Sequence, residues 1–172
     1  MADYGIGNSG IAIIKHYESL HDGDLTTIGL QPKLCPANVW TVGWGHAITD
    51  NGKFLKGDAG KKRAYELYPS LTEEEAEQLL HEDIKRFEGI VNKRLKVELN
   101  QSQYDAVLSH TFNTGGSDTL FRLINENASI DSIKDWFLHH YITADGKVLK
   151  GLIRRRKTEA HLFVTGDLVL FS

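Results

Sequence analysis

The stretch 22–60 has a composition that a continuous helix does not tolerate. It contains Pro32 and Pro36, several glycines, short β-branched runs, and an Asn-Gly pair within the DNGK sequence at 50–53. Proline removes a backbone donor, and Asn-Gly favours the tight turn of a β-hairpin. These residues therefore predict a small, irregular β lobe at about 21–60.

Helical periodicity surrounds the β lobe on both sides. A first helix is predicted over 10–20 with Ser9 as its N-cap, and Thr72 with Glu75 has the spacing of a capping box that opens a long helix. Apolar spacing and terminal glycines predict further helices at about 101–113, 117–126, 130–140 and 151–165. The order predicts a single α+β domain, 1–172, whose larger helical lobe is about 9–20 plus 61–172.

The charge of the chain limits its partners. A net charge of −3 and an isoelectric point near 6.2 argue against broad electrostatic capture of nucleic acid, which needs a basic surface. A basic cluster lies near the C-terminus and consists of Lys147, Lys150, Arg154, Arg155, Arg156 and Lys157. On charge alone, a solvated helix face is favoured over a binding surface for it. We expect a monomer that binds no nucleic acid.

The sequence also suggests where the chain acts. Its one cysteine allows no internal disulfide, which is compatible with a reducing cytoplasm. Acidic Asp3 stands where a signal peptide needs positive charge, and no apolar run is long enough to span a membrane. We therefore expect no export and no stable membrane insertion by this chain itself.

Three residues around the β lobe could carry chemistry. Glu18 ends the first predicted helix, and a carboxyl group held against apolar side chains can serve as a general acid near neutral pH. Cys35 precedes Thr41 by six residues, so a turn followed by a strand could direct the thiol and the hydroxyl towards one water molecule. Each residue also has a plain interpretation: a solvated glutamate at a helix end, and a cysteine that packs as a small buried hydrophobe.

Histidines and glycines offer weaker signals. His46 closes the GWGH sequence and could orient a neighbouring carboxylate, although a structural turn explains these residues equally well. The eight histidines form no recognisable metal-ligand set, and neither GxxxxGK[ST] nor GxGxxG occurs. We therefore expect no metal and no cofactor.

Taken together, these motifs resemble the phage-type lysozymes, glycoside hydrolase family 24. Glu18, Cys35, Thr41 and the sequence WTVGWGH are similar to the Glu, Asp-or-Cys, Thr triad of that family and to its TIGYGH signature. The sequences NQSQYDAVLSHTFNTGG at 100–116 and GLIRRRKTEAHLF at 151–163 are similar to two further blocks of the family, in the same order. The resemblance covers nearly the whole chain.

The resemblance implies a fold and an activity. The fold would be lysozyme-like, with a cleft between the small β lobe and the helical lobe. The activity would be that of a phage or prophage endolysin, which hydrolyses the β-1,4 bond between N-acetylmuramic acid and N-acetylglucosamine in bacterial peptidoglycan to lyse the host. Such an enzyme would stay in the host cytoplasm until a membrane pore made by another protein releases it to the cell wall.

The resemblance also implies roles for individual residues. Glu18 would be the general acid, while Cys35 and Thr41 would position the attacking water. His46, Asn113 and Arg154 would bind substrate, and the arginines at 154–156 would hold the lobes together or meet anionic groups of the wall. A neutral thiol supports an oxocarbenium-like transition state less than a carboxylate does, so either the thiolate is locally favoured or Thr41 and another carboxylate share the work.

Two departures from the family pattern keep alternatives open. The family usually has about eight residues between the glutamate and the Asp-or-Cys position, whereas this chain has an insertion at 22–29 that we expect to extend the β lobe over one end of the cleft. Trp44 replaces the common tyrosine. The alternatives are a lytic transglycosylase, which would not need water held by Thr41, and a lysozyme-like module that binds glycan without cleaving it.

Overall fold

A computed structural model describes residues 4–172. Within this range the helices are α1 (Asn8–Glu18), α2 (Gly57–Leu67), α3 (Glu73–Arg94), α4 (Gln101–Thr114), α5 (Asp118–Asn125), α6 (Ile130–His139) and α7 (Lys150–Thr165). The strands are β1 (Lys33–Leu34), β2 (Trp40–Val42), β3 (His46–Ala47), β4 (Thr49–Asp50), β5 (Lys53–Phe54), β6 (Thr143–Ala144) and β7 (Lys147–Val148).

These elements form two compact units. The β unit is Glu18–Asp83, and the helical unit consists of the described residues up to Tyr17 together with Ile84–Ser172. The β unit is wider than the predicted β lobe because it also contains α2 and the first half of α3. That the chain is one domain with a cleft between two lobes stays a prediction. None of the helices in residues 4–172 combines the length and apolar character needed to cross a membrane.

The predicted helix signals are mostly confirmed. Thr72 and Glu75 form the predicted capping box: the Glu75 amide donates to Thr72 Oγ1 at 3.1 Å, and the Thr72 amide donates to Glu75 Oε2 at 2.8 Å. Helix α4 ends at Gly115 in the left-handed conformation, with φ 85°. Helix α2 was not predicted, because only Gly60 and Ala64 of its residues are buried and its apolar stripe is correspondingly faint.

The start of α1 corrects the predicted N-cap. The helix begins at Asn8, so Ser9 lies inside its first turn. The buried carboxylate of Asp105 in α4 takes the capping role, accepting hydrogen bonds from the amides of Gly7 at 2.8 Å and Gly10 at 3.0 Å. A negative charge at a helix N-terminus is stabilising, so α1 is anchored by a residue distant in sequence.

Short antiparallel strands organise the β unit. Strand β2 lies between β1 and β3, with Lys33 opposite Thr41 and Thr41 opposite Ala47. Strands β4 and β5 form a hairpin whose turn is the predicted Asn-Gly pair, both residues having positive φ. The buried core of this unit comprises Leu30, Trp40, Val42, Ile48, Ala64, Leu71 and Ala76. Because side chains alternate along a strand, Thr41 lies on the face of β2 opposite to Trp40 and Val42.

The insertion at 22–29 is braced by hydrogen bonds within the β unit. Asp24 accepts hydrogen bonds from the side chains of Thr26 and Thr27, and these bonds lower the pKa of the Asp24 carboxyl to about 2. The segment is joined to the chain before α3 by Ser70, whose hydroxyl donates to the Ile28 carbonyl at 3.0 Å. Its proposed position over one end of a cleft stays a prediction.

In the helical unit, α7 packs against both α4 and α6. Arg155 and Arg156 of α7 are buried and pair with Glu159, which is itself fully buried. The prediction of a solvated basic face is therefore wrong for these two arginines, because their guanidinium groups pair with the Glu159 carboxylate inside the unit instead of being hydrated. The prediction that they meet wall anions is wrong for the same reason. Lys147, Lys150 and Lys157 are exposed as predicted.

A buried histidine adjoins this ion-pair network. His110 of α4 is fully buried and packs edge-on against Phe137 and beside Trp136. Burial lowers the pKa of His110 to about 2, and the nearby positive charges of Arg156 and then Arg155 act in the same direction. His110 is therefore neutral wherever the protein is folded near neutral pH.

Candidate active site

The carboxyl group of Glu18 lies against the backbone of Gly45. Glu18 is the last residue of α1, and a Cβ atom built on Gly45 would come within 2.6 Å of Glu18 Oε2 and 3.0 Å of its Cδ. Gly45 has φ +77°, a conformation that glycine adopts without strain. The second glycine of the GWGH sequence thus provides both the turn and the space in which the glutamate side chain sits.

A backbone pairing holds the chain after α1 beside the same turn. The His21 amide donates to the Gly43 carbonyl at 2.8 Å, forming an isolated antiparallel bridge between the two segments. Gly43 follows β2 directly, two residues after Thr41. The end of α1 and the end of β2 are therefore neighbours within the β unit.

Cys35 and Thr41 lie on one hairpin. The Cys35 amide donates to the Val39 carbonyl at 2.9 Å, so the β1–β2 pairing continues to Cys35. Side-chain alternation then puts Cys35 and Thr41 on the same side of the hairpin as diagonal neighbours, about 7–8 Å apart. Thr41 is buried and its hydroxyl donates to the Val39 carbonyl at 3.2 Å, which leaves the oxygen lone pairs able to accept from a water molecule.

Sequence reasoning did not identify His21 as a neighbour of Glu18. Burial is the largest effect on the pKa of His21 and lowers it, Glu18 opposes this effect, and Lys33 adds to it. The charges of both Glu18, the proposed acid, and Lys33, which pairs with Thr41 in the sheet, therefore act on the pKa of His21. Its position three residues after Glu18 was the available signal, but the bridge to Gly43 is a tertiary contact.

His46 is engaged by protein groups at both ring nitrogens. Its Nδ1 lies 2.8 Å from Asp83 Oδ2, and its Nε2 lies 3.4 Å from the Tyr68 hydroxyl. The histidine does contact a carboxylate, as the sequence suggested, but that carboxylate is Asp83 of α3. Burial raises the pKa of Tyr68, and the charge of Asp83 adds to this effect. That His46 binds substrate stays a prediction.

The two other predicted substrate-binding residues belong to the helical unit. Asn113 is near the end of α4, and its Oδ1 accepts a hydrogen bond from the buried Arg156 guanidinium. The Arg154 carbonyl accepts from the Tyr17 hydroxyl at 3.1 Å, and Arg154 itself is partly exposed. Both assignments stay predictions.

Glu18 at the end of α1 and Thr41 on β2 thus belong to neighbouring segments of the β unit, and Cys35 lies on the hairpin that carries Thr41. A carboxyl group can transfer a proton, while a hydroxyl and a thiol can hold a water molecule. Within residues 4–172 no group of three or more His, Cys, Asp and Glu side chains is placed to hold a metal ion.

Comparison with known proteins gives the family. The family model described as Phage lysozyme matches residues 24–159, a range that contains Cys35 and Thr41 and begins after Glu18. The endolysin of Acyrthosiphon pisum secondary endosymbiont phage 1 is 32% identical over 164 residues, covering 92% of this chain and 97% of the relative. The endolysin of Bacillus phage B103 is 31% identical over 168 residues. That match covers 94% of this chain but only 55% of the relative.

Solved structures agree with this result. The muramidase domain of SpmX from Asticaccaulis excentricus superposes with a TM-score of 0.68 at 28% identity, covering 94% of this chain and 99% of that one. An endolysin from Escherichia coli O157:H7 phage FAHEc1 also has a TM-score of 0.68, at 25% identity and 98% coverage of both chains. The chain belongs to the phage lysozyme family. The predicted family, α+β lysozyme-like fold class and enzyme class are confirmed.

Proposed function

We propose that this chain is an endolysin-type muramidase that hydrolyses the β-1,4 bond between N-acetylmuramic acid and N-acetylglucosamine in bacterial peptidoglycan. The family and its endolysin relatives support this activity. The observation that carries the assignment of residues is the Glu18 carboxyl seated against Gly45, beside the strand that bears Thr41.

In the proposed reaction, the Glu18 carboxylic acid protonates the glycosidic oxygen as its bond to the anomeric carbon breaks. A water molecule held by the Thr41 hydroxyl and by Cys35 attacks the opposite face of that carbon and loses a proton to solvent. An inverting glycosidase needs space for this water, with roughly 6.5–9.5 Å between its two catalytic groups. Small side chains at 35 and 41 leave such space.

Substrate contacts and delivery complete the proposal. His46, Asn113 and Arg154 are proposed to contact the glycan strand. The enzyme is proposed to accumulate in the host cytoplasm as one 1–172 domain, and to reach the wall through a membrane pore formed by another protein.

Mass spectrometry of the muropeptides released from purified peptidoglycan tests the proposal. Wild type and Glu74→Gln should release fragments with reducing N-acetylmuramic ends, whereas Glu18→Gln should release none. Glu74 is an exposed residue in the first turn of α3 and loses the same charge, so it is a matched control. Anhydro ends would instead identify a transglycosylase. No release by wild type, with retained glycan binding, would identify a binding module.

A further inference from the structure

The helical unit contains a cavity of about 480 Å³ that the proposed reaction does not use. It lies where the C-terminal end of α3 meets one face of α5, and its lining includes the cationic side chains of Lys93, Arg94, Lys96 and Arg122. Two carboxylates, Asp118 and Glu126, also line it, so positive charge predominates. The excess is local, because the whole chain carries a net charge of −3.

The guanidinium of Arg94 is held in position at this cavity. It lies 4.3 Å from the centroid of the Phe121 ring, which supports one face of the planar group. A Cβ atom at Gly116 would come within 3.1 Å of Arg94 Nη1, so the absence of a side chain there leaves room for the guanidinium. A guanidinium stacked on an aromatic ring keeps its N–H donors at the edge of its plane, where they can donate hydrogen bonds to an oxyanion.

Two lysines at the cavity have no carboxylate partner. Within residues 4–172, neither Lys93 nor Lys96 is within ion-pair distance of an acidic side chain, and both are exposed. The Asn125 side chain fixes the backbone here, since it accepts from the Lys96 amide at 2.8 Å and donates to the Arg94 carbonyl at 2.9 Å. The backbone that carries Arg94 and Lys96 is therefore tied to α5 beside the cavity.

The two acidic residues at the cavity are weak competitors. The Asp118 side chain, which pairs with Arg94, is 98% exposed, and Arg122 and Glu126 form an exposed pair at 3.4 Å. Exposed ion pairs contribute little free energy, because water solvates each partner almost as well. A ligand with several negative charges can therefore take Arg94 from Asp118 at small cost.

We propose that this cavity binds a multivalent oxyanion of the phosphate class. Arginine forks and paired ammonium groups are the donors that recognise phosphate oxygens. The ligand could be a soluble polyphosphate or the repeating phosphodiesters of an anionic wall polymer, which share this chemistry. The lining of this cavity does not include Glu18, and the proposal does not depend on the proposed hydrolysis.

An NMR titration of the ¹⁵N-labelled chain at constant ionic strength tests the site, with tripolyphosphate and with poly(glycerol phosphate) as probes. Saturable shifts are expected at residues 93–96 and 118–126. Lys96→Glu, which reverses one exposed charge, should weaken the affinity for tripolyphosphate by about fivefold, and Asp118→Asn, which removes one, should strengthen it about two- to threefold. Glu18→Gln should bind like wild type, which separates this site from the proposed active site.

Lys134→Glu and Asp131→Asn are the matched controls. Both residues are exposed on α6. Lys134→Glu changes the net charge as Lys96→Glu does, and Asp131→Asn changes it as Asp118→Asn does. Asp131 also occupies the first turn of its helix, as Asp118 does. They should leave the affinity unchanged. Equal effects in the test and control variants, or no saturable shift at the cavity, would overturn the proposal. Binding of both probes there would support a wall polymer as the ligand, and binding of tripolyphosphate alone would support a soluble polyphosphate.

Discussion

Gly45→Ala should separate the position of the Glu18 carboxyl from the stability of the fold. The new methyl group would lie 2.6 Å from Glu18 Oε2. Ordinary carbon–oxygen contacts are about 3.3–3.6 Å, so the carboxyl group must move by roughly 0.7–1.0 Å. A displacement of that size at a reacting group can reduce activity by about a hundredfold. We therefore expect kcat/KM on purified peptidoglycan to fall by about one to two orders of magnitude.

Gly52→Ala is the control for backbone strain. Gly52 has φ +76°, almost the same as Gly45, and no atom lies within 4 Å of a Cβ built there. Both variants should lose about 1 kcal/mol of folding free energy, because alanine is strained in the left-handed region. The melting temperature should fall by about 2–4 °C in Gly52→Ala, and by at least as much in Gly45→Ala, whose new methyl group must also displace the Glu18 side chain. Turbidity clearing and thermal melts should be measured for wild type, Gly45→Ala and Gly52→Ala. Unchanged activity in Gly45→Ala, or an equal loss of activity in both variants, would refute the reasoning.

Three further predictions concern a buried base, a buried cap and the thiol. His110 has a pKa near 6.5 when unfolded and a lower one when folded, so only the unfolded chain takes up a proton as the pH falls. Wild type should therefore lose about 2 kcal/mol more than His110→Gln between pH 7 and pH 5 in urea unfolding; parallel losses would contradict this. Asp105→Asn should cost about 2–3 kcal/mol, because charge-assisted hydrogen bonds to the first turn of α1 are lost; a urea midpoint like that of wild type would be inconsistent with the cap. Cys35→Asp should raise kcat/KM on purified peptidoglycan, because a carboxylate supports an oxocarbenium-like transition state more than a thiol does; equal or lower activity in the folded variant would contradict this.

Local signals predicted many of the elements. The Thr72 capping box, the Asn-Gly turn at 51–52 and the glycine after α4 are formed as expected. Each of these features depends on the conformational preferences of a few adjacent residues. Such preferences depend on a short segment of sequence and need no contact with a distant residue.

Other features depended on distant partners and could not be predicted. The first turn of α1 donates to the carboxylate of Asp105, which is 95 residues from Gly10. The sequence of α7 predicted a solvated stripe of arginines, yet Arg155 and Arg156 are buried. Both pair with Glu159, and Arg155 also donates to the Ser109 carbonyl. The pattern of charges along a helix does not distinguish a solvated arginine from one that is buried and paired, since the difference depends on which groups pack against it.

The proposed active site shows the same division. The residue types and their order, Glu18, then Cys35, then Thr41, are properties of the chain and identified the family. The contact between Glu18 and Gly45, and the bridge from His21 to Gly43, arise only when the end of α1 packs beside the β2–β3 turn. Sequence therefore determined which groups are available for chemistry. Tertiary structure decided which of them meet, because a contact between residues far apart in the chain depends on the packing of whole elements rather than on local preference.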